Sequence, residues 1–381
     1  MSFSCILRRL LTLTLGAVPI LAGFQDFGIP ASDSTVDVKA FNVANFTLNN
    51  LTHVFVHPVL PGRETITLPM HAFLVEHQSS QKTFMFDLGM RNDPQNLTPA
   101  FAEFFSSGAI TVGNFKDITE LLQDGGISLD SIDMVFWSHG HFDHIGDMSK
   151  FPNSTQIVVS SKTNLTIFPV SSASDLQASD LDGHEVSTLD FDNANLTISG
   201  MPAIDYFGDG SFYLLDTPGH LTGHMTALAR VTPTSFILLG ADALHHAGEL
   251  RPHGNFETNF PCPGDLLDAA RDAISTDFFW SSNSTPGAFD LPSRAQPLFA
   301  VSDTTDSFYV DPVEATVSID KIAALDADAD FFVLFSHDLS ITAILPYFPA
   351  SLSGWQVEGL KPSSVWLFVD PANPAFLFSP V

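Results

Sequence analysis

Two cysteines, Cys5 and Cys262, are the only thiols in 381 residues. That is too few for a disulfide framework, and it leaves almost nothing for a thiolate-held structural zinc. Basic side chains are scarce as well: 15 Lys and Arg stand against 43 Asp and Glu, a formal net charge of −28. A surface that acidic repels phosphate backbones and anionic lipid heads, so no nucleic acid and no membrane surface is expected as a partner. The expected partner is a small-molecule substrate, neutral or weakly charged. Charged residues make up only 15% of the chain and apolar ones 45%, which excludes intrinsic disorder. No internal repeat or long low-complexity tract interrupts the sequence.

The first 23 residues differ from the rest. Arg8 and Arg9 precede the apolar run LLTLTLGAVPIL (10–21), and the small residues Ala22 and Gly23 follow. A basic start, a short apolar stretch and a small-residue exit describe a secretory signal. At about a dozen residues the run is too short to span a bilayer, so no stable membrane insertion is expected once it is removed. N-x-S/T sequons begin at Asn45, Asn50, Asn96, Asn153, Asn164, Asn195 and Asn283. With 15 Asn in the chain, about three would arise by chance. A secreted or vesicular glycoprotein is the expectation, a cytoplasmic one the alternative. Cys262 then remains as a lone thiol, expected to pack as a small buried hydrophobe.

Residues 24–381 read as one large domain of mixed strands and helices. Strand-like runs occur at VDVKAFNVANFTL (36–48), THVFVHPVL (52–60), MHAFLVEH (70–77), KTFMFDLG (82–89) and SIDMVFWS (131–138). Others follow at IVVSS (157–161), LTISG (196–200), SFYLLD (211–216), MTALARV (225–231), SFILLG (235–240) and FFVLFS (331–336). Helices are expected near 117–123, 264–274 and 311–327. Two strand-rich halves with helices between them imply a four-layer α/β sandwich rather than a doubly wound parallel sheet. The loop-rich region 247–297 is either a lid insertion or a packed surface excursion.

The strongest chemical signal is Ser138-His139-Gly140-His141-Phe142-Asp143-His144, directly after an apolar strand. An H-x-H-x-D-H pattern is expected by chance about 0.002 times in such a composition. His139 and His141, two apart in extended backbone, point the same way, and Asp143 and His144 bring a second pair in the turn that follows. Imidazole and carboxylate suit Zn²⁺, with Mn²⁺ or Fe²⁺ as alternatives. More metal-capable side chains stand at the ends of apolar runs: His220 and His224 in TPGHLTGH, Asp242 after SFILLG, and His337 after FFVLFS. Three such strand ends together with H-x-H-x-D-H are hard to assign to packing.

HGHFDH, TPGHLTGH, Asp242 and FSHD, in that order, resemble the motifs of the metallo-β-lactamase-fold superfamily. The AFLVEH…FMFDLG hairpin resembles its opening strands, and the motifs span residues 72–338. A eukaryotic, fungal-type member of the lactonase and glyoxalase II-like branch is the nearest match. The resemblance implies an αββα sandwich with two Zn²⁺ per chain on one edge. It places His139, His141 and His220 on one metal, Asp143, His144 and His337 on the other, and Asp242 between them. Asp87 would support the site from behind, and His224 would be supporting or structural. A metal-bridging hydroxide would attack a carbonyl carbon, with Asp143 orienting it and passing the proton to the leaving group. The activity implied is hydrolysis of a lactone or lactam. Thioester cleavage is the nearest rival, and a metal-binding member without catalysis is the other.

One position departs from the pattern. Acyl-homoserine lactonases of this superfamily carry a Tyr three residues after the bridging Asp, where it hydrogen-bonds the substrate carbonyl. His245 stands there instead, as a second candidate catalytic residue or a structural one. His246 and His253 read as partly exposed imidazoles. Tyr206, Phe207 and Phe212 read as core aromatics.

Overall fold

The computed structural model describes residues 23–273 and 296–378. The signal-like residues 1–22, Cys5, the Asn283 sequon and residues 274–295 of the loop-rich region lie outside them. Fifteen strands follow one another among the described residues. The first eight are β1 (Val36–Leu48), β2 (Val56–His57), β3 (Ile66–His77), β4 (Lys82–Phe86), β5 (Ile110–Val112), β6 (Met134–Phe136), β7 (Gln156–Ser160) and β8 (Val186–Leu189). The rest are β9 (Leu196–Ile198), β10 (Met201–Asp205), β11 (Phe212–Asp216), β12 (Met225–Thr232), β13 (Ser235–Leu239), β14 (Ala300–Val301) and β15 (Phe331–Leu334).

They form two main sheets. One has seven strands in the order β5-β1-β3-β4-β6-β7-β8, and the other has six in the order β15-β13-β12-β11-β10-β9. Alternate residues of both sheets meet in the middle. Phe84, Phe86 and Phe136 from the first pack with Phe212, Leu214, Ala227 and Ile237 from the second. The intervening residues, such as Met85, Val135, Leu215 and Leu238, face outward into a second apolar cluster that includes helical residues. Helix Ile118–Asp124, closed by an Asp117–Glu120 capping box, and helix Pro312–Asp326, capped by Asp311, contribute to these outer layers. The result is the expected four-layer αββα sandwich. Strands buried on both faces explain why SFYLLD and SFILLG are continuous apolar runs rather than alternating ones.

Most expected strands fall where the sequence places them, and 52–60 does not. There Thr52–Val54 is a 3-10 turn and only β2 pairs, with β14. Pro58 carries no backbone N–H and cannot extend that ladder. Strands β5, β8 and β10 are three to five residues long, too short for periodicity to mark them. Helices span Gly264–Ala273 and Pro312–Asp326, close to expectation. Within 247–273, Leu250, Arg251 and Phe256 are buried, and Phe256 stacks edge-on to Trp366. Cys262 is buried, with its thiol pushed up to about 12 by burial. No described helix is long and apolar enough to cross a membrane.

His246 differs from expectation: it is 4% exposed, accepting at Nδ1 from Gly248 N–H and donating from Nε2 to the Ala375 carbonyl. Burial holds His246 and the equally enclosed His71 of β3 down at about 4. The fold therefore favours neutral imidazole, while the unfolded chain takes up protons below about 6.5. Their stabilisation is complete above that pH and falls as pH drops from about 6.5 to 4, by up to about 1.4 kcal/mol per group per pH unit. Melting temperatures measured from pH 7 to 4.5 are expected to fall, with a shallower slope in a His246→Gln variant.

Candidate metal centre

Five strand ends open onto one edge of the sandwich. Neighbouring parallel strands β4 and β6 release Asp87 and Ser138-His139 side by side, and parallel β13 and β15 release Asp242 and His337. Backbone bonds then stitch the strand exits together: Met225 N–H to the Ser138 carbonyl, Ser336 N–H to Ala241 and His71 N–H to Ser336. His220 comes from the loop after β11. In that loop Gly219 has φ +134°, and an added Cβ would sit 2.2 Å from the Ala315 backbone nitrogen. Only glycine lets helix Pro312–Asp326 approach so closely. Asp87 and Ala241, at two of the exits, have positive φ values of 57° and 46°. Such conformations cost energy and concentrate where a site must aim side chains.

All seven expected ligand residues meet there, with all but His141 buried. Donor atoms of His139, His141, His220 and Asp242 lie within 4.8 Å of one another, as do those of Asp143, His144 and His337. His141 Nδ1 is 2.9 Å from both His139 Nε2 and His220 Nε2. The Asp242 carboxylate stands between the groups. Its Oδ1 is 3.0 Å from His144 Nε2 and 3.1 Å from His337 Nε2, and its Oδ2 is 3.4 Å from His220 Nε2. His245 joins the same cluster, Nε2 3.2 Å from Asp242 Oδ2.

Hydrogen-bond partners fix which ring nitrogens face inward. His337 Nδ1 donates to the Pro69 carbonyl at 2.7 Å. His144 Nδ1 donates to Asp87 at 2.8 Å. Ser138 gives its hydroxyl hydrogen to Asp87 and accepts from His139 Nδ1. Nε2 of all three rings is left with a lone pair directed at the cluster. Meanwhile His144 Nε2, His245 Nε2 and Asp242 Oδ1, all buried, have no hydrogen-bond partner. Lone pairs facing lone pairs at about 3 Å are unfavourable unless a cation lies among them, so the donor set fits a metal site.

The electrostatics agree. Burial and neighbouring imidazoles hold His139 well below the usual histidine range, and burial takes His141 down to about 3. Those rings are neutral donors. Burial works against a charge on His144, yet the carboxylates of Asp242, Asp87 and Asp143 outweigh it and push His144 well up. Burial raises Asp143, whereas His144, His337 and His245 overcome burial to hold Asp242 well below the carboxylate range.

Known proteins place this arrangement. The metallo-beta-lactamase superfamily profile matches residues 67–256. The gamma-lactamase FDB1 of Fusarium pseudograminearum is 33% identical over 91% of this chain and 84% of its own length. The chain belongs to the metallo-beta-lactamase superfamily. It is also 34% identical, over 91% of its length and 90% of the other, to the metallo-hydrolase mfmC of Annulohypoxylon moriforme. Among solved structures, B. thuringiensis AiiA with N-decanoyl-L-homoserine bound at the active site superposes with a TM-score of 0.55, at 18% identity, over 84% of this chain and 99% of that one. That similarity is one of fold. The protein is thus a superfamily metallo-hydrolase whose His and Asp cluster is able to bind metal ions.

Around the cluster, this superfamily member holds its donors from behind. Asp87 is 1% exposed and accepts from Ser138 N–H, Ser138 Oγ–H and His144 Nδ1. His224 Nδ1 donates to the Thr217 carbonyl and its Nε2 accepts from Asp242 N–H, so it anchors the central carboxylate rather than facing the cluster. An Asp87→Asn variant is expected to bind metal about 10–100-fold more weakly. Competition with a chromophoric chelator measures this, and unchanged affinity would remove Asp87 from the support.

Three cavities adjoin the cluster, one of them a pocket of about 110 Å³ that reaches His245 and His337 and is lined by Arg63, Thr67, Ala247 and Phe376. A narrow cleft of about 20 Å³ is walled by Phe46, Phe55, Phe101, Phe142 and Phe308 and floored by Asp143, Asp242, His245 and His337. Beside it a groove of about 340 Å³ runs past His139 and His141, lined by Thr163, Asn164, Ser174 and Asp175. Phe55, Phe308 and Asp175 escaped the sequence reading. They sit in irregular segments, distant in sequence, where no periodicity or motif marks them. Tyr206, Phe207 and Phe212 pack with Phe136 and Phe84 between the sheets. His253 lies on the surface beside Asp320.

Proposed function

We propose that the protein is a binuclear zinc hydrolase that opens the ring of an uncharged lactam or lactone, with Mn²⁺ or Fe²⁺ as the other cations the donors suit. The observation that carries this reading is the Asp242 carboxylate, set between two groups of inward-facing donors. His139, His141 and His220 would hold one ion, Asp143, His144 and His337 the other, and Asp242 would bridge them. Such a pair supplies an activated water at neutral pH and a Lewis acid for the carbonyl oxygen. The chain's own groups do the rest. The aromatic cleft would screen the reacting carbonyl from bulk solvent. Asp143, buried at its floor, would carry a proton to the leaving nitrogen or oxygen.

The groove favours an uncharged substrate over a thioester on an anionic carrier. Lys162, the one basic residue among its described lining, is already paired with Asp192 at 2.7 Å and Asp216 at 3.8 Å. A gamma-lactamase as a one-third-identical relative points the same way. A panel of lactams, lactones and acyl thioesters, assayed with zinc-loaded protein, tests the reading. Ring opening at rates well above thioester cleavage supports it, and thioester turnover alone would replace it with the thioesterase alternative. Metal binding without turnover would leave a binding protein.

The same proposal extends to location. Asn45, Asn50, Asn96, Asn153, Asn164 and Asn195 are all exposed, as glycan attachment in a secretory compartment requires. A mass shift after peptide N-glycosidase treatment of protein from its native source checks it.

A further inference from the structure

Of the sequon asparagines among the described residues, Asn164 is the one that lines a cavity beside the metal cluster. It stands in the groove of about 340 Å³ that also holds His139 and His141, with Leu221, Thr222 and Val310 in the same lining. The residue is exposed, and its Oδ1 accepts the Thr166 N–H at 3.1 Å in a tight turn that asparagine side chains favour. That bond engages the oxygen of the amide. Nδ2, the atom to which a glycan is joined, has no hydrogen-bond partner among the described residues.

The loop that carries Asn164 is tied at both ends to the turns that bring the donors. At its start, Gly223 of the TPGHLTGH turn packs so closely that an added Cβ would sit 2.7 Å from the Lys162 carbonyl carbon and from the Thr163 nitrogen. Near its end, Asp175 accepts the Phe142 N–H at 3.0 Å, between His141 and Asp143 in sequence. Within the loop, the Ser174 hydroxyl donates to the Thr166 carbonyl. The root of any group attached at Asn164 is therefore fixed relative to the cluster, and the loop cannot swing it clear. Even the first sugar of a glycan is bulkier than any side chain lining the groove.

We propose that Asn164 carries a glycan at the rim of the groove, and that this glycan sets the size of the substrate that reaches the metal centre. Small rings pass, and rings with bulky substituents are turned away. The same chain without the glycan accepts both. This rests on the secretory and ring-opening readings above, and it makes the compartment in which the chain is produced a determinant of its substrate range.

The test uses the full chain secreted from a eukaryotic host, with glycopeptide mass spectrometry to map the occupied sites. An unsubstituted lactam or lactone and one with a bulky substituent are compared by turnover and, independently of turnover, by calorimetric binding. Thr166→Val removes the sequon and leaves Asn164 itself in place. Asn164 is expected to be occupied in the wild type. In Thr166→Val, kcat/KM for the unsubstituted ring is expected to stay at the wild-type value, while that for the bulky ring rises at least about tenfold. The full chain from a bacterial host is expected to match the variant, and it carries the test if Thr166→Val does not fold. An unmodified Asn164 in protein glycosylated at other sequons would overturn the inference, as would the same bulky-to-small ratio with and without the glycan. Absence of glycan from every sequon would overturn the secretory reading with it. Absence of turnover with either ring would sink the ring-opening reading, and the binding ratio would still decide this one.

Discussion

An Asp242→Ala variant is expected to lose at least ~10³-fold in turnover while remaining folded. The carboxylate is the one group that both donor sets share, with His144 and His337 on one oxygen and His139, His220 and His245 around the other. On the two-ion proposal its removal would loosen both ions together, and metal chemistry of this kind supplies several kcal/mol of transition-state stabilisation, with each 1.36 kcal/mol worth tenfold in rate. His139→Ala and Asp143→Ala are expected to abolish most activity too, each with a smaller effect on metal content because only one donor set is touched. The fold should survive in all three, since the two apolar clusters that hold the sandwich together do not depend on these side chains. Steady-state turnover with far-ultraviolet circular dichroism checks this. A folded Asp242→Ala protein with wild-type turnover would refute the catalytic assignment.

Metal removal should have the second largest effect. Eight titratable side chains crowd one buried edge, and their inward lone pairs repel when no cation sits among them. Ions that bind only the folded chain stabilise it by about 4 kcal/mol at a thousandfold excess over their dissociation constant. In a domain this large that corresponds to roughly 5–15 °C in melting temperature. Exhaustive chelation is expected to lower the melting temperature by that amount, and added Zn²⁺ to restore it. Lower pH should mimic chelation, because the imidazoles bind metal only when deprotonated. An identical melting temperature with and without chelator would mean that the cluster is closed by its own protons.

The cluster was legible because each donor directly follows an apolar run or sits in one short motif. HGHFDH follows β6, Asp242 follows β13 and His337 follows β15, and parallel neighbours necessarily end at the same edge. The fold class was legible for a related reason: runs such as SFYLLD and MTALARV are apolar on both faces, which only a strand inside a layered sandwich needs. What escaped the sequence is what arrives from irregular backbone. Tyr309 follows the short strand β14 and touches His245, 64 residues earlier. Phe55 belongs to a run that looks like a strand, yet it turns its ring onto His245 because the chain breaks pairing around Pro58. Such contacts are set by tertiary packing, and local pattern carries no trace of them.

Anomalous X-ray diffraction at the zinc edge, on crystals of the zinc-loaded protein, tests the central claim most directly. Two peaks are expected, one on each side of the Asp242 carboxylate, the first ringed by His139, His141 and His220 and the second by Asp143, His144 and His337. A single peak, or peaks elsewhere in an active protein, would contradict it.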